Sequence, residues 1–334
     1  MKAVVYSEYG GPEVLQLTEV EKPTPGANQI LVRVHAAALN PVDWHFVRGA
    51  PYFLRMATGG FNRPSHHRGV GCDYSGTIEA IGQDVTGFTV GQPVFGMGKG
   101  ALAEYLAVAP ERDAVLKPER LTFEQAASVP LAGLTALQAL RDTARVQPGQ
   151  KVLIVGAGGG IGTFAVQIAK AFGADVTGVQ STAALDLVRS LGADRVIDYT
   201  NEDFTSGDAC YDVIFDNVST RALPDVLRVL KPGGILVPNG GGSPDKGLSV
   251  HRLMRMLVMR PFISQKIRLF VTKPNRSDLQ VLADLIEAGT VTPVIDRCYP
   301  LSAAAEALRH LESGHAHGKI VVTIARDRLA MSPE

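Results

Sequence analysis

The chain has no surplus of charge of either sign and no long apolar run. Among its 334 residues, Lys plus Arg and Asp plus Glu both number 33, so the formal net charge is zero at pH 7. Without a basic surplus the chain lacks the electrostatic footprint of a nucleic-acid binder, and we expect no nucleic-acid partner. No uninterrupted run of about 18 apolar residues occurs, so we expect no membrane insertion.

Cysteine is scarce as well. The three cysteines, Cys72, Cys210 and Cys298, are odd in number and far apart in the chain, which disfavours a disulfide framework and favours a reducing compartment. The first residues, 1-MKAVVYSEYGGPEV-14, contain no apolar stretch of the kind found in secretory signals. These features together predict a cytoplasmic protein.

The length of the chain and a change in its sequence pattern predict two domains, because a chain of 334 residues is usually too long to fold around one hydrophobic core. Up to about residue 120, short strands such as 30-ILVRVHAAAL-39 alternate with Gly and Pro turns. Beyond that point apolar strands alternate with helical patterns, as in a parallel α/β sheet, and the tail again resembles the first part. We therefore predict an α/β fold, with a doubly wound Rossmann domain (123–289) inserted in a discontinuous β-rich domain (1–122 and 290–334).

The segment 151-KVLIVGAGGGIGTFAVQIAK-170 has the densest signal: a buried strand, a glycine-rich turn and the start of a helix. This arrangement places a pyrophosphate on the backbone N–H groups of a helix N-terminus, whereas a glycine-rich turn alone is often only a flexible loop. If the G-x-G-x-x-G motif begins at Gly156, its last position is Ile161 and the motif fails. If it begins at Ala157, alanine replaces the first glycine, and Gly159 and Gly162 occupy the other two glycine positions. The residues that we expect to hold a dinucleotide here are Ala157, Gly158, Gly159, Gly160, Ile161 and Gly162.

The end of the second strand of this domain indicates which nicotinamide cofactor binds. NAD sites usually have an acidic residue there for the ribose 2′-hydroxyl, but no carboxylate lies between Val176 and Leu185. Ser181 and Thr182 stand in its place, and hydroxyl groups accept a 2′-phosphate that a carboxylate would repel. The sequence therefore favours NADPH, although Ser181 could instead serve only as a helix cap.

Six segments together resemble the zinc-independent quinone oxidoreductase branch of the medium-chain dehydrogenase/reductase family, the ζ-crystallin-like group. This resemblance implies a GroES-like catalytic domain, built from both chain ends around the Rossmann domain. It also implies a homodimer, formed through an edge strand that we expect near residues 267–272. The segments are 37-AALNPVDWHFVRG-49, 71-GCDYSGTIEAIG-82, 100-GALAEYLAV-108, 129-VPLAGLTALQAL-140, 149-GQKVLIVGAGGGIGTFAVQIAK-170 and 190-SLGADRVIDY-199.

The resemblance also assigns cofactor contacts residue by residue. It implies that Tyr199 and Ser181 contact the 2′-phosphate of the adenosine. It implies that Thr135 and the loop 238-PNGGG-242, with Asn239 and Gly240, flank the nicotinamide, and that Asn217 lies beside the cofactor. One departure weakens the preference for NADPH: relatives with a base after the second strand place it against the phosphate, and this chain has Ala183 there.

The stretch 66-HHRGVGCDYSG-76 has the residue types of a metal site, with His45 upstream as a further histidine. Zinc-dependent members of the family use a Cys three residues before an Asp as the first ligand, and that position is Asn40. They use a histidine as the second ligand, and that position is Cys72; the cysteine-rich lobe of their structural zinc is missing too. A catalytic zinc needs three protein ligands, so we expect no bound metal and interpret the histidines as rim residues.

Without zinc, the Lewis acid for alcohol oxidation is missing, and hydride transfer favours acceptors that are already electrophilic. We therefore predict reduction of quinones or α,β-unsaturated carbonyl compounds. Asn40 and Tyr52 are candidate hydrogen-bond donors to the developing oxygen charge, with Asp43 orienting the loop. Asn40 could instead have the structural role of shaping a turn before Pro41, and Tyr52 could only line the wall of the pocket. Two alternatives stay open: a zinc-type alcohol dehydrogenase, and a nucleotide-binding structural or interaction protein without turnover.

Overall fold

The computed structural model describes residues 1–57, 59–64, 68–208, 210–240, 242–243, 247–248, 256, 258–259 and 262–324. It contains two compact units. The outer unit comprises Met1–Leu131, Pro274–Glu287 and Ile295–Glu334, and the inner unit comprises Ala132–Lys273 and Ala288–Val294. The outer unit thus draws on both ends of the chain, and it also takes in residues 274–287, which the sequence-based bounds assign to the inner domain.

The elements are numbered in chain order. The strands are β1 (Lys2–Tyr6), β2 (Gln16–Glu19), β3 (Ile30–Leu39), β4 (Arg68–Gly69), β5 (Asp73–Ile81), β6 (Pro93–Met97), β7 (Tyr105–Val108), β8 (Ala114–Leu116), β9 (Lys151–Val155), β10 (Asp175–Gln180), β11 (Arg195–Asp198), β12 (Tyr211–Asp216), β13 (Leu230–Pro238), β14 (Gly242–Ser243), β15 (Gly247–Leu248), β16 (Lys266–Ile267), β17 (Ile295–Pro300) and β18 (Lys319–Thr323).

The α-helices are α1 (Pro41–Arg48), α2 (Leu54–Ala57), α3 (Pro110–Asp113), α4 (Phe123–Ala127), α5 (Pro130–Leu137), α6 (Gly160–Ala171), α7 (Leu185–Ser190), α8 (Leu223–Arg228), α9 (Arg276–Glu287) and α10 (Ala304–Glu312). The helix α5 continues as a π-helix over Gln138–Ala144. Within the described part of the chain, no helix has the length and apolar character needed to cross a membrane.

The outer unit is built around the long strand β3. One edge of β3 pairs with β5 in antiparallel register, and the other edge pairs with β7 at its start and β18 at its end. The strand is buried along nearly its whole length, which explains the run of branched and small residues in 30-ILVRVHAAAL-39. Because β3 is antiparallel to both neighbours, its carboxyl end lies beside the amino ends of β5 and β18.

The inner unit is a parallel sheet in the order β11-β10-β9-β12-β13-β16. Its central strand β9, 151-KVLIV-155, is buried from its second residue onward, as its continuous apolarity predicts for a sheet covered on both faces. The strand order reverses direction at β9, which is the arrangement of a doubly wound fold. The predicted α/β fold class is confirmed.

One predicted element is wrong. The strand expected near 267–272 is only two residues long, because β16 ends where its pairing with β13 ends, at the Leu236–Ile267 pair. In the described part of the unit, the apolar residues that follow pair with no strand. Among them, Leu269 and Val271 are 49% and 82% exposed.

Candidate active site

The carboxyl ends of three adjacent parallel strands meet at one edge of the inner sheet. Asp216, the last residue of β12, pairs with Val155 at the end of β9 and with Pro238 at the end of β13. The residues that follow these strands are therefore neighbours, although the chain separates them widely. Ligands of open α/β sheets bind at this edge.

The first of these segments is the glycine turn after β9. Gly156 has a φ of +77°, a conformation that disfavours residues with a side chain. A Cβ on Gly162 would lie only 2.1 Å from the carbonyl oxygen of Gly156, so glycine at this position lets α6 pack directly against the turn. The helix begins at Gly160, with Gly159 before it in an extended conformation. The turn thus presents the free N–H groups of a helix N-terminus, which suit a pyrophosphate.

The second and third segments, which follow β12 and β13, bring Asn217 and Asn239 together. The side-chain nitrogen Nδ2 of Asn239 donates to Oδ1 of Asn217 at 2.9 Å. The Nδ2 atom of Asn217 is buried and has no hydrogen-bond partner among the described residues. A Cβ on Gly240 would lie 2.2 Å from the carbonyl oxygen of Asn217, so the loop approaches closely there. A buried amide that lacks an acceptor is costly unless a ligand supplies one, and the site therefore fits a bound dinucleotide.

Thr135, expected near the nicotinamide, is buried in the same unit. Its hydroxyl lies 2.8 Å from the hydroxyl of Thr272, so the two threonines form one polar pair. Sequence reasoning did not single out Thr272, which lies beyond the end of β16.

The expected 2′-phosphate site lies at the ends of β10 and β11. Thr182 donates its hydroxyl hydrogen to Oδ2 of Asp198 at 2.5 Å. Hydrogen bonds from Thr182 and Thr200 hold the pKa of Asp198 below its usual range, so this carboxylate is ionised. Tyr199 is half exposed, and Ser181 is partly buried.

No base near this site is free among the residues that the structure describes. The guanidinium of Arg189 donates to Asp186 at 2.6 Å, and Arg195 pairs with Glu202 at 3.2 Å. Ala183, at the position where relatives have a base, is exposed. The site therefore offers hydroxyls and a phenol to a 2′-phosphate but no unpaired cation.

In the outer unit, a buried polar cluster forms where β3 ends and β5 and β18 begin. It consists of Asn40, Asp43, Cys72, Asp73 and Lys319, and we call it the Lys319 cluster. Pairing of Ala38 with Asp73 and of Leu39 with Ile320 brings its members together from the three strands.

Lys319 is the centre of this cluster, and its side chain is only 4% exposed. Its ammonium donates to Oδ1 of Asn40, to the carbonyl oxygen of Leu39 at 3.0 Å and to Oδ2 of Asp73 at 3.5 Å. Sequence reasoning missed this residue. The available signal was a lysine opening an otherwise apolar buried strand, 319-KIVVTI-324, which is unusual unless the charge has partners.

Asn40 is fully engaged inside the cluster. Its Nδ2 donates to Oδ2 of Asp73 at 2.9 Å and lies 3.4 Å from Sγ of Cys72, while its Oδ1 accepts from Lys319. Both amide hydrogens thus have acceptors within the protein. This geometry differs from the expectation that Asn40 donates to a substrate oxygen.

Asp43 lies in the first turn of α1, and its Oδ2 accepts a hydrogen bond from the backbone N–H of Asn40 at 2.7 Å. Burial, reinforced by the nearby charge of Asp73, raises the pKa of Asp43 to about 7. Burial also raises the pKa of Asp73 and of the Cys72 thiol. With one lysine and two carboxyl groups, the cluster is neutral when it holds one carboxyl proton.

Tyr52 is not brought into the cluster. Its side chain is 70% exposed, and the guanidinium of Arg55 lies 4.5 Å from the centre of its ring. His45 is occupied by a contact of 2.7 Å between its Nδ1 and the carbonyl oxygen of Ala50. His66 and His67 lie outside the described residues.

The cluster does not fit a catalytic zinc. Of the two matching ligand positions, only Cys72 carries a soft ligand atom, because Asn40 stands at the other, whereas a catalytic zinc takes three protein ligands. The buried ammonium of Lys319 already stands beside Asp73. In the described part of the chain, this cluster included, no group of three or more His, Cys, Asp or Glu side chains could hold a metal ion.

A cavity of about 700 Å³ lies within the outer unit beside the cluster. Asp43 and Cys72 form part of its wall, together with Tyr6 and Arg68. Most of the remaining lining is apolar, and β1, α1 and β7 contribute part of it. A cavity with apolar walls and a few polar groups suits a small organic ligand.

Known proteins resemble this chain over nearly its full length. Residues 26–119 match the alcohol dehydrogenase GroES-like domain, and residues 191–322 match the zinc-binding dehydrogenase family. A 2-methylene-furan-3-one reductase of Solanum lycopersicum and a chloroplastic NADPH-dependent alkenal/one oxidoreductase of Arabidopsis thaliana are each 35% identical, across 96% of this chain and 79% of theirs. The structure of a quinone oxidoreductase from Coxiella burnetii superposes with a TM-score of 0.86 at 31% identity, covering 97% of this chain and 99% of that one.

Proposed function

The chain belongs to the quinone oxidoreductase branch of the medium-chain dehydrogenase/reductase family, and on that premise we propose that it is an NADPH-dependent, metal-free oxidoreductase that reduces quinones or α,β-unsaturated carbonyl compounds. In this proposal the inner unit binds NADPH, and the outer unit is the catalytic domain. The single observation that carries the nucleotide assignment is the buried Asn217 amide beside the glycine turn, which lacks a hydrogen-bond acceptor among the described residues.

Metal independence is the part of the proposal that rests on the Lys319 cluster. Asn40 and Cys72 occupy the positions of the family's zinc ligands, and Lys319 already supplies a positive charge beside them. Without a Lewis acid, the acceptor must be electrophilic in its own right, as a quinone or an enone is.

The chain's residues then bind and orient the reactants. NADPH, when bound, supplies a hydride. The glycine turn would hold its pyrophosphate, and Asn217, whose amide nitrogen has no partner among the described residues, would lie beside the cofactor. We propose that Asn40 acts by fixing the Lys319 cluster, because both of its amide hydrogens already have acceptors. Asp43 holds the start of α1 through the backbone N–H of Asn40.

The experiment that tests this function is an acceptor panel run with NADPH and NADH side by side. We expect cofactor oxidation with a simple benzoquinone or an aliphatic enone, and none with the matching saturated ketone. Elemental analysis of the same preparation should find no stoichiometric zinc. Stoichiometric zinc together with alcohol oxidation would instead establish an alcohol dehydrogenase. NADPH binding without oxidation by either acceptor class would indicate a nucleotide-binding protein without turnover.

Ala183 offers a test of the 2′-phosphate site. Replacing it with arginine is expected to raise the ratio of kcat/KM for NADPH over NADH by about ten- to a hundredfold, because a charge-assisted hydrogen bond contributes about 1.5–3 kcal/mol. The wild-type site offers the phosphate no free cation among the described residues, and the ionised Asp198 lies close by. Ala183→Gln, which adds similar length without charge, is the matched control. Equal ratios in the two variants would contradict this account.

We also propose a homodimer formed through the exposed edge beyond β16, where Leu269 and Val271 alternate along the chain. Val271→Lys is expected to shift the protein from dimer to monomer at micromolar concentration, because it places a charge in an apolar strand pairing. Val90→Lys, at an exposed valine of the outer unit, is the control and should leave the mass unchanged. Multi-angle light scattering measures the outcome, and a monomeric wild type would rule out the dimer.

The location that we propose is the cytoplasm. The three cysteines are free thiols, which agrees with a reducing compartment.

A further inference from the structure

The cavity of the outer unit has features that the proposed hydride transfer does not use. Its volume of about 700 Å³ is in the range of small-molecule sites. Every residue that lines it lies between Met1 and Ala107, so the whole wall belongs to the outer unit. Glu21 and Lys99 in this wall are exposed, and the cavity therefore opens to solvent.

Two hydrogen-bond donors stand side by side in the wall. Tyr6, at the end of β1, pairs with Arg68, at the start of β4, in antiparallel register. Directly paired residues carry their side chains on the same face of a sheet and close together. Burial raises the pKa of Tyr6 to about 12, and the nearby charge of Arg68 acts in the opposite direction. The phenol therefore keeps its proton at neutral pH and can donate it.

Neither donor has an acceptor among the residues that the structure describes. Tyr6 is only 3% exposed, and its hydroxyl makes no hydrogen bond with the described chain. The side chain of Arg68 is partly buried, and its guanidinium likewise forms no hydrogen bond or ion pair with a described residue. A buried donor that lacks an acceptor costs free energy unless a ligand supplies one.

The two acids of the wall do not neutralise this guanidinium. Glu21 is exposed, and Oδ2 of Asp43 accepts the backbone N–H of Asn40 at 2.7 Å. In the described part of the chain, neither carboxyl group forms an ion pair with Arg68. The positive charge in the wall thus has no carboxylate of the protein beside it.

A second cation lies in the same wall. A Cβ on Gly69 would lie 2.7 Å from the Cα atom of Gly100, so the loop that ends at Gly100 passes against β4. This loop places Lys99 in the wall with Arg68, and Lys99 also forms no ion pair with a described residue. The rest of the wall is mostly apolar and includes Val5, Val42, Phe46, Val70 and Ala107.

We propose that this cavity is a binding site for an apolar monocarboxylate, a compound with one carboxylate and a hydrocarbon tail. The guanidinium of Arg68 binds the carboxylate, the hydroxyl of Tyr6 donates to it, and the apolar wall covers the tail. Arginine suits a planar carboxylate because its N–H groups can bind both oxygens at once. This inference does not rest on the proposed reductase activity, and its test uses neither NADPH nor an acceptor.

Isothermal titration calorimetry of the full chain with sodium octanoate tests the site. We expect saturable binding with a Kd below about 1 mM. Octanol has the same tail without the charge, and acetate has the charge without the tail. Each should bind at least about tenfold more weakly than octanoate, because each lacks one of the two interactions.

Arg68→Met is expected to weaken octanoate binding about tenfold or more, because it removes the charged donor and keeps a long side chain. Arg63→Met is the matched control. Arg63 is exposed and does not line the cavity, so octanoate binding should stay within about twofold of the wild type. Ala107→Phe fills the cavity from β7 and should weaken the binding of octanoate and octanol alike.

Tyr6→Phe separates ligand binding from a structural role and keeps the test valid if Arg68→Met folds poorly. It should weaken octanoate binding about threefold to tenfold, since it removes a neutral donor. The unfolding midpoint of the ligand-free protein should not fall, because the deleted hydroxyl has no partner among the described residues. A fall in the midpoint without any loss of octanoate affinity would show that the hydroxyl is structural and would contradict its assigned role.

Three further results would overturn the proposal. One is octanol that binds as tightly as octanoate, or octanoate that does not bind at all, because the cation would then select nothing. Another is equal octanoate affinity in Arg68→Met and Arg63→Met. The third is octanoate binding that Ala107→Phe leaves unchanged, which would place the carboxylate elsewhere on the chain.

Discussion

Replacing Gly162 with alanine is expected to weaken NADPH binding by at least about a hundredfold, or ~2.7 kcal/mol. The added Cβ would lie 2.1 Å from the carbonyl oxygen of Gly156 and 2.7 Å from the backbone of Ala157. Neither backbone atom can move without opening the turn that presents the N–H groups of α6. A fluorescence titration with NADPH measures the loss, and far-ultraviolet circular dichroism verifies that the chain remains folded.

Gly159→Ala is the matched control, because the same methyl group meets far less resistance there. Its nearest atom would be the Gly156 carbonyl oxygen at 3.4 Å, and the φ of Gly159 is −80°, which any residue adopts. We expect NADPH binding within about threefold of the wild type, or ~0.7 kcal/mol. If the two alanine variants bound NADPH equally well, the close packing of α6 on the turn would not determine cofactor affinity.

Asp43→Asn is expected to change the pH dependence of stability by about 2.7 kcal/mol between pH 5 and pH 8, which is about two pH units at 1.36 kcal/mol each. The pKa of Asp43 is about 7 in the folded chain, against an ordinary value of 3.8. Between these values the folded state holds a proton that the unfolded state has released. The contribution of this group to stability is therefore present at low pH and is lost as the pH rises through 7.

The asparagine variant cannot ionise, yet it keeps an oxygen that can accept the backbone N–H of Asn40. The difference in unfolding free energy between the variant and the wild type should therefore favour the variant more at pH 8 than at pH 5. The variant's curve of unfolding free energy against pH should also be flatter. Denaturant titrations at four pH values measure this, and Asp186→Asn, at an acid whose side chain is 98% exposed, is the control. Parallel curves for wild type and Asp43→Asn would show that Asp43 is ionised throughout.

Local patterns predicted the inner unit well. The strand at 151–155 and the helix that follows it were readable from a continuous apolar run, a glycine turn and a helical repeat of apolar residues. These signals are contained in about twenty consecutive residues, and the parallel sheet then brings the strand ends together without further information. The strand predicted at 267–272 failed because an edge strand depends on a neighbour, and pairing ends at Ile267.

In the outer unit, local sequence patterns did not predict which residues come into contact. Asn40 and Cys72 were identified as replacements for zinc ligands, but the partner that makes the cluster self-sufficient was not. Tyr52 was expected beside them, yet its side chain is exposed and packs on Arg55. Asn40 is buried and Tyr52 is exposed. This difference depends on the path of the chain after α1, which the local sequence pattern does not specify.

The sequence by itself determined the α/β class, and it predicted the two-part architecture, the glycine turn for a dinucleotide and the absence of a bound zinc, because each of these depends on the types and spacing of residues along the chain. Only the tertiary structure decided what neutralises Asp73 and what holds Asn40. Lys319 lies 279 residues from Asn40 in the chain, and antiparallel pairing of β18 with β3 brings the two into contact. Contacts of that range depend on strand register, and register is settled only when the whole sheet forms.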